Sequence, residues 1–349
     1  MDAVQIADRL IGRGQPCLVI AEAGVNHNGQ VELAKRLIDA AAAAGADAVK
    51  FQTFDAGKLA DRTAPKAAYQ LRTTDRGESQ LDMLRRLELP HAAYGPLQAR
   101  AARRRLFFFS SPFDEASADF LERLDVPAFK IASGEITDVP LLRHIARKGR
   151  PVILSTGMST LREVREAVEV IRRAGNEQVI LLHCVSNYPA DPADANLRAM
   201  RTMAKACGAP VGYSDHTPGI EVALAAVALG ACVIEKHLTL DRSLPGPDHQ
   251  ASLEPGQLRA LVRGIRTVEA ALGHGRKEPA RSEAATAAVV RKSVVAARRI
   301  PTGTALTARL LAAKRPGTGW PPSRRDELIG RRTKTDIPRG AMLTRDMLV

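Results

Sequence analysis

The stretch EKHLTLDRSLPGPDH, Glu235 to His249, carries two histidines, two aspartates and a lysine in a segment that needs none of them for packing. Similar groups stand at the ends of other apolar runs. Glu22 follows CLVI, with Asn26 and His27 just beyond; Lys50 and Gln52 sit in AVKFQTF; Ser110 and Ser111 follow FFF. Further on come Lys130, Ser133 and Glu135, then Ser155 and Thr156, then His183, Ser186, Asn187 and Tyr188. Ser214, Asp215 and His216 precede the last group, Glu235, Lys236 and His237. These residue types suit a definite chemistry. Ammonium groups and hydroxyls bind anions, neighbouring imidazoles ligate a metal, and a carboxyl behind an apolar run is desolvated toward acid–base duty. Each also has a plainer reading: a strand-end serine, Ser155 above all, caps a helix, a buried histidine satisfies a hydrogen bond, and Glu22 pairs with a lysine.

Positioning so many groups at run ends requires a repeating scaffold. Eight β-rich runs recur: CLVIAEAG, AVKFQTF, LFFFSSP, AFKIASGE, PVILSTG, VILLHC, VGYSD and CVIEKHL. Between them lie segments with helical spacing, such as QVELAKRLIDAAAAAGA and STLREVREAVEVIRRAG, often closed by glycine or proline. Eight strand–helix units in about 270 residues predict an α/β fold of the (β/α)8 TIM-barrel class, with a doubly wound open sheet as the competitor. A barrel demands that functional groups stand at the C-terminal ends of the strands, which is where they fall.

The remainder of the chain reads differently. IPTGTALTARLL (300–311) and IPRGAMLTRDML (337–348) share Ile, Pro, Gly, Leu, Thr and Leu in register, a small internal repeat that predicts a compact β-rich unit with pseudo-twofold symmetry. The expected organisation is a barrel over 1–275, a polar linker over 276–288 and a small domain over 289–349. Charge is uneven: of the net +13, +10 lies between Arg281 and Val349. A basic tail suits an anionic partner, but a single Trp and few aromatics leave little for base stacking, so nucleic acid is not expected. No membrane helix and no secretory signal are read. The four cysteines are widely spaced, and Cys17, Cys184 and Cys232 lie in apolar runs, which points to core thiols and a cytoplasmic location.

Taken in order, IAEAGVNHNG, AVKFQTF, SSPFDE, FKIASGEI, LSTGM, LHCVSNYP, GYSDHT, EKHLTLDRSLPGPDH and KRPGTG resemble the bacterial sialic acid synthase family over nearly the whole chain. The segment APKAAYQLRTTDRGESQLDMLRRLEL further resembles the branch that makes N-acetylneuraminate or legionaminate, and the basic tail resembles the antifreeze-like SAF domain. The resemblance implies an enzyme that condenses phosphoenolpyruvate with an N-acylated mannosamine-type sugar. Phosphate would leave by C–O cleavage, giving a nine-carbon 2-keto acid. The acceptor is N-acetylmannosamine or, for legionaminate or pseudaminate, a 2,4-diacetamido-2,4,6-trideoxy hexose. By the same similarity, His216 and His237 ligate Mn2+ or Mg2+, while Lys50, Lys130, Ser133, Ser155 and Ser214 cradle phosphoenolpyruvate. Glu22 manages protons or water, Gln52 and Tyr188 face the sugar, Glu135 does the same or orients Lys130, and Asp248 bonds the sugar or a metal-bound water. Ser111 stands where relatives often carry Thr, and Ser186 where some carry Asn. Arg315, in KRPGTG, would reach the N-acyl group from a domain-swapped homodimer partner. Two rivals stay open on the residues themselves: a Schiff-base aldolase using Lys50, Lys130 or Lys236, and a binding protein for carbohydrate or nucleic acid that has lost catalysis.

Overall fold

The computed structural model describes residues 3–349. The chain divides into two compact units, one ending at Gly273 and one beginning at His274.

The first unit opens with a hairpin of β1 (Ala3–Ile6) and β2 (Arg9–Gly12), paired antiparallel. Eight parallel strands follow: β3 (Leu18–Gly24), β4 (Ala48–Thr53), β5 (Phe107–Pro112), β6 (Phe129–Ile131), β7 (Val152–Ser155), β8 (Val179–Cys184), β9 (Val211–Asp215) and β10 (Val233–His237). Their order in the sheet is β5-β4-β3-β10-β9-β8-β7-β6. β5 and β6, at the two ends of that order, lie against one another, which closes the barrel. The eight runs read from sequence are these eight strands.

Alternation along each strand sets the two cores. Leu18, Ile20, Ala48, Phe109, Ile153, Ile180, Leu182 and Val233 share one buried cluster inside the barrel, joined by Val4, Ile6 and Ile11 of the hairpin. Burying each of these hairpin side chains contributes about 1.5–3 kcal/mol. Residues of the opposite parity, such as Val19, Val49, Phe108, Leu154, Leu181, Tyr213 and Ile234, form the larger cluster under the helices. The helices are amphipathic as their spacing requires. Val31–Ala44 buries Ala34, Leu37, Ile38 and Ala41 and stops at Gly45, whose φ of 84° is the left-handed conformation glycine adopts freely. Leu161–Arg173 starts from a capping box in which Thr160 and Glu163 satisfy each other's backbone amides.

After β4 the chain makes an excursion before its long helix His91–Arg103. It contains the short helices Ala56–Leu59, Gln70–Thr73 and Gln80–Leu87. Lys66 holds this excursion together: its Nζ donates to Thr74 Oγ1 at 3.0 Å and to Asp75 O, and lies 3.3 Å from Glu78 Oε1.

In the second unit β11 (Ser293–Ala296) pairs antiparallel with β12 (Leu311–Lys314). The internal repeat folds on itself. Ile300 pairs with Ile337, its own counterpart, while the bridges Val295–Met342 and Ala305–Arg332 are related by the same 37-residue shift. Ile300, Leu306, Leu311, Ile337, Leu343 and Leu348 supply the core. The stretch expected as a linker over 276–288 is part of this unit and contains the turn Arg281–Glu283 and the start of helix Ala284–Val290. Its run of alanines, Ala284, Ala285, Ala287 and Ala288, propagates a helix well.

All four cysteines are free and buried, and no helix among the described residues is long and apolar enough to cross a membrane.

Candidate active site

The side chains that follow the apolar interior at the same parity form a polar layer at the C-terminal ends of the strands. Register sets them side by side: His237 is level with Glu22, Glu22 with Lys50, Gln52 with Ser111, and Ser214 with Glu235. They open into a cavity of about 450 Å3. Glu22, Lys50, Gln52, Ser111, Lys130, Ser133, Glu135, Ser155, Ser186, Tyr188, Ser214, His216, His237 and Asp248 all line it. The barrel residues to which the resemblance gives a site role are thus brought to one place, whereas Asn26, His27, Ser110, Thr156, His183, Asn187, Asp215 and Lys236, also noted near strand ends, do not line the cavity.

The floor is a chain of buried charges of alternating sign. Lys50 Nζ lies 2.8 Å from Glu22 Oε2 and 3.8 Å from Glu235 Oε2, and Lys130 Nζ lies 3.7 Å from Glu235 Oε1. Hydroxyls fix each charge in turn. Lys50 donates to Ser111 Oγ at 3.2 Å, Lys130 to Ser155 Oγ at 2.7 Å, and Ser214 donates to Glu235 Oε1 at 3.1 Å. Ser155 is therefore bound to the lysine and is no helix cap; the cap of the next helix is Thr160. Gln52 Nε2 donates to Glu22 Oε1 at 3.3 Å.

Burial raises the Glu22 pKa toward neutrality, against the pull of Lys50. For Lys50 itself the burial penalty is outweighed by Glu22 and Glu235, so its pKa rises and it stays an ammonium. Burial likewise works against ionised Glu235, but Lys130 and Lys50 together bring its pKa below the usual range. Of these two floor carboxyls, Glu22 therefore takes up a proton before Glu235 as pH falls. Burial alone dominates at Lys130, lowering its pKa, and at Glu135, which is pushed up to about 7.

Across the cavity, His216 and His237 lie with ring centroids 5.4 Å apart, and Tyr188 packs 4.2 Å from the first and 5.4 Å from the second. His216 Nδ1 is 2.7 Å from Val185 O, which fixes the tautomer and leaves the Nε2 lone pair free. His237 Nδ1 is buried without a hydrogen-bond partner, with Asp248 Oδ2 3.9 Å away. Burial lowers the His216 pKa to about 4 and that of His237 further, so both rings are neutral. Asp248 is pushed up to about 6 by burial, opposed by Lys50.

The loop that carries Asp248 is latched to the turn after β3. Asn26 Nδ2 donates to Leu238 O and Ser252 Oγ at 2.9 and 2.8 Å, and Ser252 Oγ donates to Asp248 O at 2.6 Å. Asn28 Nδ2 donates to Pro245 O at 3.0 Å, and its Oδ1 lies 3.3 Å from His249 Nε2. His249 Nδ1 is in turn 2.7 Å from Thr239 Oγ1. His249 is therefore a fastener of the loop, whereas Asp248 faces the cavity. Two glycines border the site, Gly157 for closeness and Gly24 for its left-handed backbone. A Cβ on Gly157 would fall 2.1 Å from Ser186 Oγ and 2.9 Å from both Cys184 Sγ and Ser133 Oγ, and Gly24, at φ 52°, abuts Glu22, Gln52 and His237.

Glu235 was visible at a strand end but not chosen as a site residue; its role emerges only when Lys50 and Lys130 are seen on either side of it. Tyr69, Gln70 and Gln80, from the excursion after β4, also line the cavity and went unselected, because that segment has no strand-end position to mark them. Lys236 is different from its neighbours. It points to the other face of β10, fully buried, 2.6 Å from Asp215 Oδ2 and 2.5 Å from Thr217 O. Asp215 and Lys236 hold the fold there. Arg315 belongs to the second unit, where it is exposed and donates from Nε to Val290 O at 3.0 Å.

Comparison with known proteins gives the family of the chain. Residues 37–277 match the NeuB family and residues 291–349 match the SAF domain. The N,N'-diacetyllegionaminic acid synthase of Legionella pneumophila is 46% identical, with 95% of this chain and 94% of that one covered. The enzyme of the same name from Campylobacter jejuni is 48% identical over 90% of this chain and 95% of its own. A crystal structure of N-acetylneuraminic acid (sialic acid) synthetase from Leptospira borgpetersenii superposes with a TM-score of 0.72 at 38% identity, covering 81% of this chain and 94% of that one. With a family match over most of the barrel and relatives of this identity along nearly its whole length, the chain belongs to the NeuB family of synthases and ends in a SAF domain.

Proposed function

We propose that the cavity condenses phosphoenolpyruvate with the open-chain aldehyde of an N-acylated hexosamine, releasing inorganic phosphate and giving a nine-carbon 2-keto sugar acid. Of the two acceptors considered from sequence, the reading favours 2,4-diacetamido-2,4,6-trideoxymannose over N-acetylmannosamine. Its support is that two relatives at 46% and 48% identity are N,N'-diacetyllegionaminic acid synthases. The observation that carries the reaction class is the buried Lys50–Glu235–Lys130 floor beside a neutral histidine pair.

The chain's own groups divide the work. Lys50 and Lys130 offset the carboxylate and phosphate charge of phosphoenolpyruvate, and Ser111, Ser155 and Ser214 keep those charges oriented. Carbon–carbon bond formation joins the methylene carbon of phosphoenolpyruvate to the aldehyde carbon, while the carbonyl π bond opens and its oxygen takes a proton from water to become a hydroxyl. Water then supplies the new oxygen at C2 as the C–O bond to phosphate breaks. Glu22, with its pKa raised, is placed to accept a proton from that water. Gln52, Glu135, Tyr188 and Asp248 are left for the sugar's hydroxyls and amides.

A divalent cation fits the histidines. His237 Nδ1 is an unpartnered buried donor atom, and the tautomer of His216 presents Nε2. Among the described residues no group of three or more His, Cys, Asp or Glu could hold a metal, so His216 and His237 would share it with water or substrate. Imidazole suits Mn2+ better than Mg2+. Such an ion would polarise the aldehyde carbonyl. The test is a phosphate-release assay with phosphoenolpyruvate, Mn2+ and each sugar in turn. Release that depends on the diacetamido sugar supports the reading, and release with neither sugar refutes it.

A further inference from the structure

Polar and apolar groups are segregated within the cavity. The lysines that line it, Lys50 and Lys130, are both borne by strands and both lie beside buried carboxylates. The wall beyond β3, β4 and β5 is built otherwise. Val25 follows β3, Phe113 follows β5, and Met83, Leu84 and Leu87 come from helix Gln80–Leu87; all five line the cavity and belong to one apolar cluster distinct from the barrel cores. The charged residues of that helix are turned elsewhere, Arg85 toward Asp82 and Arg86 toward Glu78. What the excursion adds beside this wall is uncharged: Tyr69, Gln70 and Gln80.

We infer that this wall receives the C6 end of the acceptor sugar and selects a methyl group there over a hydroxyl or a phosphate. The inference rests on the condensation proposed above. The aldehyde carbon must meet phosphoenolpyruvate at the strand ends, among the lysines and histidines, so the far end of the six-carbon chain extends outward to the level of the excursion. A methyl group placed against Met83, Leu84 and Leu87 leaves water at no polar cost. A hydroxyl in the same place loses its hydration without a replacement partner, and a phosphate dianion finds no cation among the side chains of this wall, since Arg72 and Arg86 line an adjoining cavity and not this one. The side-chain amides of Gln70 and Gln80 can both donate and accept, which suits acetamido groups on the same sugar.

The experiment uses the full-length protein with Mn2+ and saturating phosphoenolpyruvate. Phosphate release is followed with N-acetylmannosamine, with its 6-deoxy counterpart and with its 6-phosphate. The expected kcat/KM for the 6-deoxy sugar exceeds that for the 6-hydroxy sugar by about tenfold, within the roughly hundredfold limit of an apolar pocket acting on a hydroxyl, and the 6-phosphate is not used. Leu84→Gln is expected to narrow the ratio to about twofold, and Leu84→Met, which keeps the wall apolar, to retain it. A wild-type ratio at or below unity, turnover of the 6-phosphate, or a ratio unmoved by Leu84→Gln would overturn the inference while leaving the condensation intact. No phosphate release with any of these sugars or with the diacetamido sugar would overturn both.

Discussion

Replacing His237 with alanine is expected to lower turnover by on the order of a thousandfold while the barrel stays folded. Loss of a Lewis acid on a developing oxyanion is worth several kcal/mol of barrier, and about 4 kcal/mol corresponds to that factor. The imidazole can be lost cheaply by the fold, because His237 Nδ1 makes no hydrogen bond. His216→Ala should match it in activity but cost more stability, since it also abandons Val185 O. Mn2+ binding by titration calorimetry should weaken in both. Near-wild-type turnover together with unchanged Mn2+ affinity in either variant would remove the histidines from the metal assignment.

The second large effect concerns Lys130. Its ammonium is buried between Ser155 and Glu235, so Lys130→Ala removes a charge from the anion side and strands part of a buried carboxylate. Breaking a buried ion pair from one side destabilises by about 3–5 kcal/mol, and loss of a charge-assisted contact should raise the phosphoenolpyruvate KM by about two orders of magnitude. The two consequences are separable. Lys130→Met combined with Glu235→Gln should recover most of the stability, measured by urea unfolding, because no unpaired charge remains between the two positions. It should not recover phosphoenolpyruvate affinity. An unchanged KM in Lys130→Ala would contradict the cradle.

Much of the site was legible because a barrel strand has a two-residue period. Once Leu18 and Ile20 are assigned to the interior, Glu22 must follow them, and the same holds for Lys50 after Ala48 and for Ser155 after Ile153. The same parity separates Lys236 from Glu235 and His237, a distinction the sequence carried but the reading by strand ends passed over. It also withdraws Lys236 as a Schiff-base nucleophile, since its ammonium is held by Asp215 and Thr217 on the helix side. The importance of Glu235 could not be read from its neighbours in sequence. It arises from Lys50, 185 positions away, and Lys130, which only barrel closure brings to either side of it. The hairpin at the start of the chain was missed for a local reason: each strand is four residues long, too short for alternation to stand out. Tyr69, Gln70 and Gln80 were missed because short helices in an excursion follow the contacts they make and no period of their own. In the second unit, by contrast, the repeat predicted its own symmetry, and Ile300 meets Ile337 in register.

Phosphoenolpyruvate is expected to be consumed here by C–O cleavage during condensation with a sugar aldehyde. This cleavage is tested most directly by following an 18O label placed at the bridging oxygen of phosphoenolpyruvate. With the diacetamido sugar and Mn2+, the label is expected in inorganic phosphate, one equivalent for each nine-carbon 2-keto acid formed. Phosphate free of the label, or formation of the keto acid from pyruvate with borohydride trapping Lys50 or Lys130, would contradict it.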